Sequence, residues 1–164
     1  MVEVTTARVL ADKALQDVSP QACVDWAVGM LVAGYDGQNL AMLAGMLPPF
    51  NYFEITSLRD RALAEVNAPD LSTTDAVLVY AAERLRLALD GNADMAETLR
   101  AVKDLCVAHD YHPDLYEFYL LFFAQDDLRG STLQWYWDGA TQANIDSIIR
   151  DRAERFVAQT RGAA

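Results

Sequence analysis

Two cysteines, two histidines and two lysines are all that the 164 residues hold of three side chains on which much protein chemistry rests. Cys23 and Cys106 have neither the number nor the spacing of a disulfide framework or a zinc site. Each lies in an apolar stretch, Ala22-Cys23-Val24 and Leu105-Cys106-Val107, so both are expected as small buried thiols, with one disulfide across the fold as the alternative. Lys13 and Lys103 leave little for Schiff-base chemistry. His109 and His112 share one loop, so no Ser-His-Asp order stands out, and neither G-x-S-x-G nor a histidine-paired cysteine occurs. The glycines of Gly34-Tyr35-Asp36-Gly37 lack the following lysine and the G-x-G-x-x-G spacing of a phosphate cradle. No catalytic residue is singled out, and no cofactor or resident metal is expected.

Long apolar runs are missing too: no stretch approaches the length of about 18 uncharged apolar residues that a membrane span needs. The start, Met1 to Arg8, lacks the basic-then-apolar pattern of a signal peptide. A cytoplasmic, reduced protein is expected. Positive charge is scarce, with 13 Lys+Arg against 24 Asp+Glu and a net charge of −11. That imbalance repels polyanions, which argues against nucleic acid or an anionic lipid surface as partner.

What the chain does have is apolar content, 52%, too much for a disordered tail. Its length suits one domain over 1–164, able to bury roughly 70% of its extended surface. Apolar residues recur at helical spacing and alternation at period two is rare. Alanine occurs 26 times and leucine 20, while Val and Ile together reach 17. That balance favours helices. The expected fold is all-α, a single compact helical domain of seven or eight helices, arranged as a bundle or as stacked helical hairpins.

Punctuation places the helices. A first helix is expected over 5–18. Ser19-Pro20 restarts the chain for a second that stops at Gly34. A short third helix over 38–45 precedes Pro48-Pro49, and Asn51 with Glu54 resembles a capping box for a fourth, to about Val66. Arg59, Asp60, Arg61 and Glu65 are expected on its outer face. Ser72 with Asp75 opens a helix over 73–90, ended by Gly91, and the next is expected over 94–108. From Asp114 the sequence is apolar nearly all round, which predicts a central helix. Residues 128–139 are expected as an aromatic-rich connection or short turn, and a last helix over 142–159. There Asp146 with Arg150 and Asp151 with Arg155 have the spacing of i,i+4 ion pairs.

His109-Asp110-Tyr111-His112-Pro113-Asp114 sets two imidazoles beside two carboxylates, a set that zinc would accept. The stretch equally suits a turn in which Asp110 or His112 caps the next helix. Charge distribution says more. Between residues 104 and 146 there are eight acids against the single base Arg129, a net −7, interleaved with tyrosines and tryptophans. Aromatic rings supply buried area and carboxylates steer and bond Arg and Lys, as a face gripping a basic protein requires. The candidate partner-binding residues are Tyr111, Asp114, Tyr116, Glu117, Asp126, Asp127, Trp135, Trp137 and Asp138. The alternative is that the rings are core and the acids solubilising.

Gly34-Tyr35-Asp36-Gly37-Gln38-Asn39-Leu40-Ala41-Met42-Leu43-Ala44-Gly45 with Pro49-Phe50-Asn51-Tyr52-Phe53-Glu54 resembles a pattern of uncharacterised helical bacterial proteins, some associated with toxin-immunity loci. Folding alone explains these residues, and the resemblance transfers no active-site residue. Together with the acidic, aromatic stretch, it implies an acidic protein-binding module, an immunity or antitoxin-like inhibitor of a basic toxin partner, as monomer or homodimer. The other expectations left open are a small metal-dependent enzyme or sensor using His109 and His112, and a homo-oligomeric helical scaffold.

Overall fold

Five helix starts in this chain are marked by short polar side chains that take the first free amides. Behind them the structure, a computed structural model describing residues 4–161, has eight α-helices and, among the described residues, no strand. They are α1 (Thr6–Ala14), α2 (Pro20–Val32), α3 (Gln38–Ala44), α4 (Tyr52–Glu65), α5 (Thr73–Leu89), α6 (Met95–Ala108), α7 (Pro113–Gly130) and α8 (Ile145–Arg161). The all-α expectation holds. Met1, Val2 and Glu3, which open the start expected to lack a signal peptide, lie outside the described residues. No helix among the described residues is long and apolar enough to cross a membrane.

Thr5, Ser19, Asn51 and Asp94 accept from the amides of Arg8, Ala22, Phe53 with Glu54, and Glu97. At α5, Ser72 Oγ accepts from the Asp75 amide at 3.1 Å and donates to the Asp75 carboxylate at 2.7 Å. A cap of this kind contributes about 1 kcal/mol.

Helix ends differ from expectation where a side chain or a left-handed residue intervenes. α1 stops at Ala14 because Gln16 turns left-handed, φ 55°, so that Asp17 N–H closes on the Asp12 carbonyl. α7 runs on through Leu128 to Gly130. α8 starts at Ile145 because the preceding polar side chains hold a turn: Asn144 accepts from Thr141 N–H and donates to the Gly139 carbonyl, while Gln142 donates to the carbonyls of Leu128 and Ser131.

Contacts divide the chain into two compact units, Met1–Ala76 and Val77–Ala164. In the first, Val9, Cys23, Val24, Ala27, Leu40, Leu43, Ile55 and Leu58 surround Trp26, the largest fully buried side chain. A buried indole N–H must find an acceptor, and Trp26 Nε1 donates to Thr6 Oγ1 at 3.0 Å. Arg59, expected on the outer face of α4, is buried instead, 6% exposed. Its Nε and Nη2 both donate to Asp60 Oδ1 at 2.9 Å, which makes burial of the guanidinium tolerable.

The N-terminus of α3 takes its cap from another helix. Gly37 offers no side chain, and the Glu65 carboxylate of α4 accepts from Asn39 N–H at 3.0 Å, Leu40 N–H at 2.9 Å and Asn39 Nδ2 at 2.6 Å. A Cβ at Gly37 would strike that carboxylate. Gly34, at φ 93°, ends α2 in the left-handed region, with Tyr35 N–H bonded to the Met30 carbonyl. Both glycines of the Gly34-Tyr35-Asp36-Gly37 stretch thus have structural causes. The bonds from the Asn39 and Leu40 amides hold the Glu65 carboxyl below its ordinary pKa.

In the second unit α6 packs on α7, and α7 on α8. Leu99, Val102, Cys106, Leu115, Phe118, Leu121, Ile149 and Ala153 are fully buried, and Phe118 meets Phe156 edge-on at 5.4 Å. Cys23 and Cys106 are free and buried, as the apolar flanks predict. Burial raises the pKa of both thiols.

Thr6→Val, which keeps the shape and removes the acceptor for Trp26, is expected to lower unfolding free energy by about 1–3 kcal/mol with an unchanged m-value in urea titrations. Glu65→Gln is expected to lower the thermal midpoint at neutral pH. Because the folded pKa of Glu65 is depressed, its contribution is present above the pKa of an unfolded glutamate and disappears as pH falls through the folded value. Melts across the acid range should show wild type and variant converging.

Candidate functional site

α7 carries apolar side chains around most of its circumference but buries only one side of it. Leu115, Phe118, Leu121, Ala124 and Leu128 are buried, Tyr116 is exposed, and Tyr119, Phe122 and Phe123 are only partly covered. The expected central helix is therefore one with an open face. Tyr116, Tyr119 and Phe123, spaced i, i+3 and i+7, stack along that face. Their rings form a continuous ladder: Tyr116 lies parallel to Tyr119 at 5.5 Å, and Tyr119 meets Phe123 at 5.0 Å. Tyr111 closes one end, edge-on to Tyr119 at 5.4 Å, and Tyr136 the other, 5.4 Å from Phe123. Burial, and then the neighbouring Tyr111, Tyr116 and Tyr136 phenols, push the Tyr119 hydroxyl above its ordinary pKa. Phe122 meets Phe123 edge-on at 5.2 Å and lies beneath Arg100 at 5.4 Å and Lys103 at 4.9 Å.

Each end of the ladder is held by unusual backbone. Asp110 and Tyr111 are successive left-handed residues, φ 51° and 57°, a conformation costing about 1–2 kcal/mol for each side-chain-bearing residue. Tyr111 N–H bonds the Cys106 carbonyl at 2.8 Å, and the Tyr111 ring contact with Tyr119 offsets part of the cost.

Of residues 128–139, expected as an aromatic-rich connection or short turn, Leu128 to Gly130 belong to α7 and the rest form a turn built around Gln134. Its Oε1 accepts from the Tyr136 and Trp137 amides, both at 2.8 Å, and its Nε2 donates to the Trp137 carbonyl at 2.6 Å and the Ala140 carbonyl at 3.3 Å. With the backbone so tied, three neighbouring rings are sent three ways. Trp135 stands in solvent, 88% exposed; Tyr136 joins the ladder; Trp137 lies beneath Arg152 at 5.2 Å.

The eight acids of residues 104–146 divide in two. Asp104 pairs with Lys103, Glu117 reaches Arg152 at 3.7 Å and Asp146 accepts from Gln125 at 3.1 Å, while the Asp114 carboxylate lies 4.0 Å from His112 Nδ1, beyond hydrogen-bond distance. Partial burial raises the Glu117 pKa, against the pull of Arg152 and Arg155. Among the described residues Asp110, Asp126, Asp127 and Asp138 make no ion pair. Of the candidate partner-binding residues, Tyr111 and Tyr116 belong to the ladder, Asp126 and Asp127 follow Phe123 by three and four residues on the same side of α7, and Trp135 and Asp138 are exposed on the adjoining turn. Glu117 and Trp137 are engaged with Arg152, and Asp114 sits at the start of α7. Tyr119, Phe123, Tyr136 and Gln134 complete this surface; Tyr119 and Tyr136 are among the rings interleaved with the acids in the sequence but not among its candidate binding residues, and Phe123 and Gln134 are not named there. The signal for Phe123 was its i+7 spacing from Tyr116.

His112 is the cap of α7: its Nδ1 accepts from the Asp114 amide at 3.2 Å, and its ring stacks on His109 with centroids 5.0 Å apart. Among the described residues no group of three or more His, Cys, Asp or Glu side chains is placed to hold a metal ion. Protein-family models, curated proteins and solved structures were compared with the chain, and none matches.

Gln134→Ala is expected to expose the Tyr136 and Trp137 amides, seen as loss of their hydrogen-exchange protection, while helix content stays unchanged. Retained protection at both amides would mean that the turn stands without its staple.

Proposed function

We propose that this chain is a protein-binding module whose α7 ladder and adjoining turn receive a basic protein partner, in the manner of an immunity protein or antitoxin covering the cationic active site of a toxin. The observation that carries this reading is Trp135, held 88% exposed by a turn whose backbone is tied by Gln134. Exposing an indole is unfavourable in water, and a ring held outward on fixed backbone loses little freedom when a partner covers it. Tryptophan and tyrosine dominate the energetic centres of protein interfaces. Asp126, Asp127 and Asp138 supply uncompensated negative charge beside the rings, which raises the rate of encounter with a cationic surface and bonds its Arg and Lys. The site offers recognition chemistry and no reacting centre, so the proposed action is obstruction.

The test is capture of a basic partner on the immobilised chain from its native host, followed by kinetics. Trp135→Ala should weaken the complex by about 2 kcal/mol or more, a loss near thirtyfold carried mainly by faster dissociation. Asp126→Lys with Asp127→Lys should instead slow association, with the wild-type rate falling steeply as salt increases. An association rate indifferent to both the reversals and salt would sink the electrostatic part, and a Trp135→Ala complex of unchanged affinity would sink the site. If light scattering shows concentration-dependent dimers abolished by Trp135→Ala, the occupant of the face is a second copy and the inhibitor reading fails.

A further inference from the structure

A cleft of about 530 Å³ opens in the second unit where the start of α6, the end of α7 and the start of α8 converge. That volume falls within the range of roughly 300–1,000 Å³ typical of small-molecule sites. We propose that it binds a small zwitterion with an apolar body, of the free amino acid or free-ended dipeptide class.

The argument is one of charge and pairing. Arg129, Arg150, Asp94 and Asp146 all line the cleft. Arg129 is the lone base of the acidic stretch, and Arg150 has the i,i+4 spacing to pair with Asp146. Yet among the described residues neither guanidinium has a carboxylate within 4.0 Å, so the expected Asp146–Arg150 pair does not form. Asp146 is instead turned to Gln125, and Asp94 gives one oxygen to the Glu97 amide that it caps. Two cations and two anions thus face one cavity without neutralising each other.

A simple anion there meets two carboxylates, and a simple cation meets two guanidiniums. A ligand carrying both signs satisfies both sets. Its carboxylate suits the planar donors of Arg129 and Arg150 and the first-turn amides of α6 at Met95 and Ala96, which have no intrahelical carbonyl to bond. Its ammonium suits the remaining oxygens of Asp146 and Asp94. Leu128 and Ile145, each only 4% exposed, give the cleft an apolar floor for the body between the charges. By helical spacing Gln125, Leu128 and Arg129 lie on the side of α7 away from Tyr116, Tyr119 and Phe123. The site is therefore separate from the aromatic face.

Calorimetric titration of the full chain with L-leucine and with L-leucyl-L-leucine tests this, using N-acetyl-L-leucine and L-leucinamide as probes that each keep one charge. The expected result is saturable binding of at least one zwitterion, with about a tenfold or greater loss for both single-charge probes. Arg129→Ala and Arg150→Ala, both at exposed positions, should each weaken the same zwitterion by about tenfold while leaving the circular dichroism spectrum unchanged. No saturable heat with either zwitterion overturns the proposal. So does equal binding of the single-charge probes, or unchanged affinity in both arginine variants.

Discussion

Helix α7 has more apolar surface than one buried face can use, and the second unit is organised around that excess. Leu115, Phe118, Leu121, Ala124 and Leu128 account for the core side. The surplus falls to Tyr116, Tyr119 and Phe123, whose rings cover one another in place of a neighbouring helix. Mutual stacking removes part of each ring from water. The result is an aromatic surface held together by its own ring contacts.

Both ends of that surface depend on backbone that regular structure would not supply. The left-handed pair Asp110 and Tyr111 turns the chain sharply enough to lay Tyr111 back on Tyr119, and the Gln134 side chain replaces the hydrogen-bond partners that a turn without secondary structure would otherwise take from water. The first unit works by a similar economy. Glu65 acts as a distant cap for α3 and so ties α4 to it through a helix end rather than through apolar contact alone. In each case one polar side chain satisfies two or three amides at once.

Much of the helical framework was legible from local chemistry. Ser19-Pro20, Asn51, Ser72 and Asp94 start helices where a short acceptor meets free amides, and Gly34 ends one where only a left-handed residue continues the chain. The misplaced ends are those set by residues without a strong local signal. Gln16 adopts a left-handed conformation that its side chain does not favour, and Gln142 bonds the carbonyls of Leu128 and Ser131, which spacing alone does not bring near. Arg59 reads as a surface charge because its periodicity places it beside other charges, but its Asp60 partner allows it to be buried.

The acidic, aromatic composition of residues 104–146 is a property of the sequence, because net charge and ring content need no geometry. Helix positions follow from caps and spacing for the same reason: they depend on neighbours within about four residues. Tertiary structure alone decided which acids are neutralised, which rings are free, and that Trp135, Tyr136 and Trp137 face three different ways. Those outcomes depend on partners far along the chain, Arg152 for Glu117 and Trp137, Phe123 for Tyr136, and no local pattern encodes a distance between them.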